Sequence, residues 1–251
     1  MRVPDFRQRL YRSYVSAFKK EGRGQLAAAD GAFFRYWDYK YRPIFSSWPR
    51  TAAILELGCG PGRMLRYLRS LGFSRVKGID LSAEQIELAQ ASGTDAEGID
   101  VFDFLRSVDE PYAAVIALDF LEHFTKDELM ALIPLIHGAL DEGGSLVIQT
   151  PNGEGLFPNQ VVYGDLTHST IFTPSSLSQL LSVMGFGELR FFETGPAPKN
   201  LTGLARSALW RALKALANGV RIIEANKRQD LWTENMICVC SRAADPRETG
   251  R

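Results

Sequence analysis

Cysteine and histidine are both scarce, with three of each among 251 residues. Three cysteines cannot build a disulfide framework, and the odd number suits a reducing compartment. Without a CxxC pair and with so few histidines, a structural zinc site is not expected. No charge of one sign is in excess: 29 Lys and Arg face 29 Asp and Glu, for a formal net charge of zero. Duplex nucleic acid usually demands a basic surplus or stripe, so it is not the expected partner. No apolar run reaches the length that spans a bilayer. The opening MRVPDFRQRLYRSYV lacks the apolar stretch of a signal peptide. A cytoplasmic location is the resulting expectation.

Apolar residues are plentiful at 45%, enough for a sizeable core in one large domain with helical decoration. Phe6, Leu10, Tyr14 and Phe18 recur four apart, which predicts an amphipathic helix over 5–20. Residues 25–48 are dense in aromatics and predict a second helical stretch ending at Pro43 or Pro49. Alternation then begins. Strands are expected over 52–58, 75–82, 96–100, 112–119 and 145–151, with helices between them. Short connections of this kind produce right-handed βαβ units and a mostly parallel sheet. A long loop over 152–173 follows, and loops of that length inside a compact domain are usually functional. Residues 173–185 predict a helix with Thr173 as cap, Pro174 in the first position and Gly185 at the end. Strands over 187–194 and 235–242 close the fold around a helical insertion, 195–234. The polar tail 243–251 stands apart.

The segment Ile54-Leu55-Glu56-Leu57-Gly58-Cys59-Gly60-Pro61-Gly62-Arg63 runs a strand into a glycine-rich turn and then a helix. Glycines let such a turn approach a ligand closely. A dinucleotide-binding turn is one reading, but that fingerprint wants Gly or Ala where Arg63 stands. Glu56, two residues before the first glycine, would repel a pyrophosphate and suits a ligand carrying an ammonium group.

LELGCGPGR resembles the first motif of the class I S-adenosylmethionine-dependent methyltransferases. Further pieces follow in the family's order: Asp80 in GIDLS, Asp100 in GIDVFDFL, ALDFLEHF over 117–124, and LDEGGSLVIQTPN over 140–152. Ala113 departs from the pattern, where the family commonly has an acid. The resemblance covers roughly residues 50–195. It implies a Rossmann-like three-layer α/β sandwich with a mostly parallel seven-stranded sheet. An N-terminal helical lid (1–48) would precede the binding domain (49–242).

The resemblance also implies S-adenosyl-L-methionine as methyl donor. Glu56, Gly58, Cys59, Gly60, Gly62 and Arg63 would form its loop. Asp80 would take the ribose hydroxyls beside Leu81. Asp100 would take the adenine amino group beside Val101, with Asp103 as the alternative, and Leu118 would complete the wall.

A hydroxyl acceptor needs a base during attack, whereas a carboxylate or amine does not. His168 is the first candidate, with Asp165 close enough in sequence to orient it; His123, after the fourth strand, is the second. His137 lies inside a helix and reads as structural. Asp119, Asp165 and His168 could instead hold a divalent ion, but their spacing lends no support and no metal is expected. Tyr14, Arg35, Asn152 and Tyr163 are candidates for substrate contact. GDLTHSTIFTPSSLSQLLSVMGF (164–186) resembles methyltransferases of bacterial polysaccharide and lipopolysaccharide clusters, which implies a glycan or nucleotide-linked sugar hydroxyl as acceptor. O-methylation of a small quinone-like or carboxylate metabolite, or cofactor binding without catalysis, are the rival readings. Residues 203–223 form a basic amphipathic pattern around Trp210, breakable at Asn218-Gly219. It suits a membrane surface, a dimer contact or docking on its own domain.

Overall fold

The computed structural model describes Leu10 and residues 23–243. The helix expected over 5–20, Tyr14 within it, and the tail after Ala243 lie outside the described residues. The chain alternates strand and helix. After α1 (Arg23–Lys40) and α2 (Arg42–Phe45) come β1 (Ala53–Leu57), α3 (Arg63–Ser70), β2 (Arg75–Asp80) and α4 (Ala83–Ala91). They are followed by β3 (Ala96–Gly98), α5 (Val101–Arg106), β4 (Tyr112–Leu118), α6 (Lys126–Gly138) and β5 (Leu140–Pro151). Then come α7 (Asn159–Tyr163), α8 (Pro174–Val183), β6 (Phe186–Glu193), α9 (Leu201–Ala225) and β7 (Asn235–Arg242).

The seven strands form one sheet in the order β3-β2-β1-β4-β5-β7-β6. β7 runs antiparallel to both of its neighbours, and the pairings from β3 through β5 are parallel. This is a Rossmann-like three-layer sandwich, as the strand–helix alternation predicts. Alternate residues of the central strands enter opposite layers. Leu55 and Leu57 join a core with Leu132, Ile136 and Leu177 beneath α6 and α8. Ile54 joins a second core with Tyr41, Phe45, Leu65 and Leu68 beneath α2 and α3. Burial on both faces explains why β1 and β4 read as continuous apolar runs, whereas β6, at the edge, alternates buried and open positions.

Local signals set the helix starts. Thr125 opens α6 with a capping box: its hydroxyl accepts from Glu128 N at 3.3 Å, and the Glu128 carboxylate accepts from Thr125 N at 2.8 Å. Thr173 opens α8 with Pro174 next, as expected. Two elements run longer than the sequence reading expects, and a short helix, α7, stands inside the loop expected over 152–173. The strand expected over 145–151 begins earlier, as the twelve-residue β5 from Leu140. The break expected at Asn218-Gly219 is absent, and α9 runs on for 25 residues. The Asn218 side chain grips the returning chain instead, donating to Gln229 O at 3.0 Å and accepting from Gln229 N at 2.8 Å.

Candidate active site

Parallel strands leave a crevice outside their carboxyl ends, where the sheet order reverses. Here β1 is flanked by β2 on one side and β4 on the other, and a cavity of about 820 Å³ opens above them. The turn after β1 forms one wall. Gly58 sits at φ 68°, and a Cβ there would lie 2.6 Å from the Phe120 ring. Gly62 sits at φ 72°, and a Cβ would lie 2.7 Å from Thr94 Oγ1. Only glycine meets both demands. Gly58, Cys59, Gly60 and Arg63 line the cavity; Gly62 shapes the turn without lining it.

Three acids ring this wall. Glu56 is buried, and its Oε2 has no hydrogen-bond partner within the protein. Burial, and then the charge of Asp80, push its carboxyl well above the usual range, against the pull of Arg66. Asp80 accepts from Gly60 N at 2.9 Å and Ser82 N at 2.8 Å. Burial raises its carboxyl while these bonds lower it. Asp100 caps α5, accepting from Phe102 N at 2.8 Å, and lines the cavity. Asp103 is not among the lining residues. Leu81, Val101 and Leu118 line it as apolar neighbours. Arg63 is held sideways, its Nε 3.2 Å from Asp30 and its guanidinium 4.1 Å from the Phe33 ring.

α1 lies over the opening and contributes Phe33, Tyr36 and Trp37 to the lining. Polar ties hold it there. Asp30 grips Arg66 at 2.8 Å, the Tyr36 hydroxyl donates to Thr194 O at 2.5 Å, and Lys40 Nζ donates to Glu193 O at 2.8 Å. Burial pushes the Tyr36 phenol up to about 12.

Beyond β4 the lining turns polar. Asp119 takes a left-handed φ of 50° at the strand end, a conformation that costs energy and clusters at functional sites. Gln149 Nε2 donates to both Asp119 oxygens at 3.0 Å, while Tyr41 donates to Gln149 Oε1 at 2.5 Å. The sequence reading missed this relay. Its one available signal was a glutamine within the apolar run SLVIQTP.

The histidines divide differently from expectation. His123 lines the cavity; His168 does not, although the two rings lie 5.0 Å apart. Asp165 turns one carboxylate oxygen to Thr167. Its Oδ1 accepts from Thr167 N at 2.9 Å and from the Thr167 hydroxyl at 2.6 Å. That hydroxyl lies 2.8 Å from His123 Nδ1. A hydroxyl has one proton, and the carboxylate is the stronger acceptor. Thr167 therefore accepts from His123 Nδ1–H, and the backbone at Asp119 also bonds the ring. Burial, and then His168, hold the His123 imidazole down to about 4. His168 Nδ1 sits 3.0 Å from Val162 O, a bond that pins the 152–173 loop. His137 bridges α6 to Gly185 O at 3.3 Å.

The other substrate candidates fall elsewhere. Arg35 is exposed on α1 and outside the lining. Asn152 is fully buried and staples the chain, donating to Leu231 O and Thr233 O at 3.3 and 3.0 Å. Tyr163 ends α7 at 78% exposure and is not among the lining residues. Among the described residues, the group able to share a metal ion is Glu122, His123 and His168. Each offers one ligand atom, all within 4.8 Å of one another. This trio differs from the Asp119, Asp165 and His168 set weighed on sequence.

The fold is shared with solved methyltransferases. A SAM-dependent methyltransferase from Archaeoglobus fulgidus superposes with a TM-score of 0.64 at 20% identity, over 84% of this chain and 94% of that one. Magnesium protoporphyrin IX methyltransferase from Synechocystis PCC 6803, solved with bound SAM, gives 0.58 at 15%, over 97% and 100%. Phosphoethanolamine N-methyltransferase 2 from Haemonchus contortus, in complex with S-adenosyl-L-methionine, gives 0.61 at 15%, over 93% and 60%. No curated protein matches. The model of the methyltransferase domain family matches residues 11–187, more than half of the chain, and with the glycine turn and the sheet order it makes this protein a member of that family, a class I methyltransferase.

Proposed function

We propose that this methyltransferase transfers a methyl group to a hydroxyl oxygen of a sugar-containing acceptor, with His123 as the proton acceptor. The methyl donor is S-adenosyl-L-methionine. When bound, it supplies an electrophilic methyl carbon on a sulfonium centre. The residues present fit it. Glu56 Oε2, buried and without a partner in the protein, suits the donor's ammonium group. Asp80 suits the ribose hydroxyls with its two carboxylate oxygens, and Asp100 suits the adenine amino group; both line the cavity together with Leu81 and Val101.

The remaining residues act on the acceptor. An aliphatic hydroxyl is a poor nucleophile at neutral pH, and a positioned base speeds its attack about 10²–10⁴-fold. The His123 imidazole, a lining group of the cavity, takes the hydroxyl proton as the oxygen becomes methylated. The cation so formed on the ring is offset through Thr167 by Asp165. Tyr41, Gln149 and Asp119 supply donors and acceptors suited to an acceptor rich in hydroxyls. The observation that carries this reading is the Asp165–Thr167–His123 chain ending at a cavity-lining imidazole. Together with the resemblance of 164–186 to polysaccharide-cluster enzymes, it favours a glycan over a quinone-like metabolite, a carboxylate that needs no base, or a role without catalysis.

A second reading has its own observation. Glu122, His123 and His168 could hold a divalent ion that lowers the acceptor's pKa. Transfer of labelled methyl to panels of sugar, phenol and carboxylate acceptors separates these classes. Labelling confined to phenols or carboxylates, or absent throughout, would overturn the sugar assignment.

A further inference from the structure

We propose that α9 docks this protein onto anionic lipid surfaces, lying flat on the membrane. At about 100° per residue, α9 divides into two faces. The face against the domain is small or polar: Ser207, Lys214, Asn218 and Arg221 lie there half-buried with Trp210. Their contacts are polar too. Ser207 donates to Pro196 O at 3.1 Å, and Lys214 pairs with Glu193 at 2.7 Å. The opposite face is apolar. Leu201, Leu209, Leu213, Leu216, Val220 and Ile223 are each at least half exposed, and Thr202 is the one polar side chain on their half of the helix. No residue of α9 is buried. A surface helix of a globular protein turns its apolar stripe inward; this one is inside out, and the feature asks for a covering partner.

Charge selects that partner. Residues 201–230 hold six Lys and Arg against two acids, in a chain whose net charge is zero. Arg206 and Arg211 fall at opposite margins of the apolar face, and both are exposed. Lys227 and Arg228 follow the helix, also exposed. A second copy of this chain would set one basic segment against another. Residues 1–22 of the same chain hold six Lys and Arg against two acids as well, so they repel it too. An anionic lipid surface offers both the apolar interior and the opposite charge. No described helix is long and apolar enough to cross a membrane, so attachment is peripheral.

Flotation of the full chain with phosphatidylcholine vesicles, with and without phosphatidylserine, tests this. The protein should float with the anionic vesicles, stay down with phosphatidylcholine alone, and be released by high salt. Leu213→Glu with Leu216→Glu should cut the floated fraction at least tenfold, and Arg206→Glu with Arg211→Glu should do the same at moderate salt. All four positions are exposed, and an unchanged thermal melt confirms that the variants fold. Failure to float with anionic vesicles at low salt overturns the proposal. So does equal flotation of the leucine variant, or a dimer by light scattering that this variant dissociates without any lipid binding.

Discussion

Replacing Glu56 by glutamine should weaken donor binding and stabilise the empty protein at the same time. The side chain is 4% exposed, and one carboxylate oxygen has no protein partner. Asp80 lies close enough to push its proton affinity higher still. Folding this carboxylate is therefore costly unless a cation or a proton meets it. The sign is fixed by linkage. A carboxyl whose folded pKa is raised adds stability below its unfolded value and loses it as pH rises toward the folded value. Wild-type stability should thus decline with rising pH above the ordinary glutamate range, and Glu56→Gln should flatten that decline. The same substitution removes a charge-assisted hydrogen bond to the ammonium group, worth about 1.5–3 kcal/mol. That corresponds to roughly a tenfold to hundredfold rise in Kd. Calorimetric titration with S-adenosylhomocysteine gives the affinity, and thermal melts from pH 6 to 9 give the stability. Opposite signs are the expected signature. A variant that binds as tightly as wild type, or that loses stability and affinity together, would refute the assignment of Glu56 to the ammonium group.

Other outcomes follow from the same geometry. His123→Ala should lower kcat by about 10²–10⁴-fold with donor affinity intact, whereas His168→Ala should cost far less; the order is read from steady-state transfer of labelled methyl. Because burial and His168 hold His123 at about 4, the base is unprotonated throughout the neutral range. The kcat/KM profile should be level from about pH 6 upward and fall only as pH approaches that value. Dialysis against a chelator should leave the rate unchanged; a loss restored by a divalent ion would transfer the chemistry to the Glu122, His123 and His168 group. Gly58→Ala places a methyl 2.6 Å from Phe120 at a left-handed φ, and should lower unfolding free energy by about 1–3 kcal/mol in denaturant titration.

The fold was legible because its demands are local. Positive φ at Gly58 and Gly62 requires glycine, and the double burial of β1 and β4 requires unbroken apolar runs, so each residue announces its own environment. Glu56, Asp80 and Asp100 stood out in the sequence as acids beside glycine turns or helix starts, and the structure brings all three to one cavity. The acceptor side was not legible, because its geometry is set by chain segments far apart. Asp165 and His168 are neighbours in sequence, yet the turn over Thr167 hands the acid to His123, 44 residues away. Asn152 looked available for substrate until β7's approach buried it against residues 231–233. Asn218-Gly219 promised a helix break, but the amide found its partners in Gln229 and the helix continued. In each case a side chain's partner arrives by tertiary packing, which no local pattern encodes.

The central claim is that the crevice over β1, β2 and β4 holds the methyl donor with its reactive end toward His123. Co-crystallisation with S-adenosylhomocysteine tests it directly. The amino group should lie within hydrogen-bond distance of Glu56, the ribose hydroxyls on Asp80, and the sulfur should face the His123 end of the cavity. A nucleoside bound outside this crevice, or one whose sulfur faces away from His123, would contradict it.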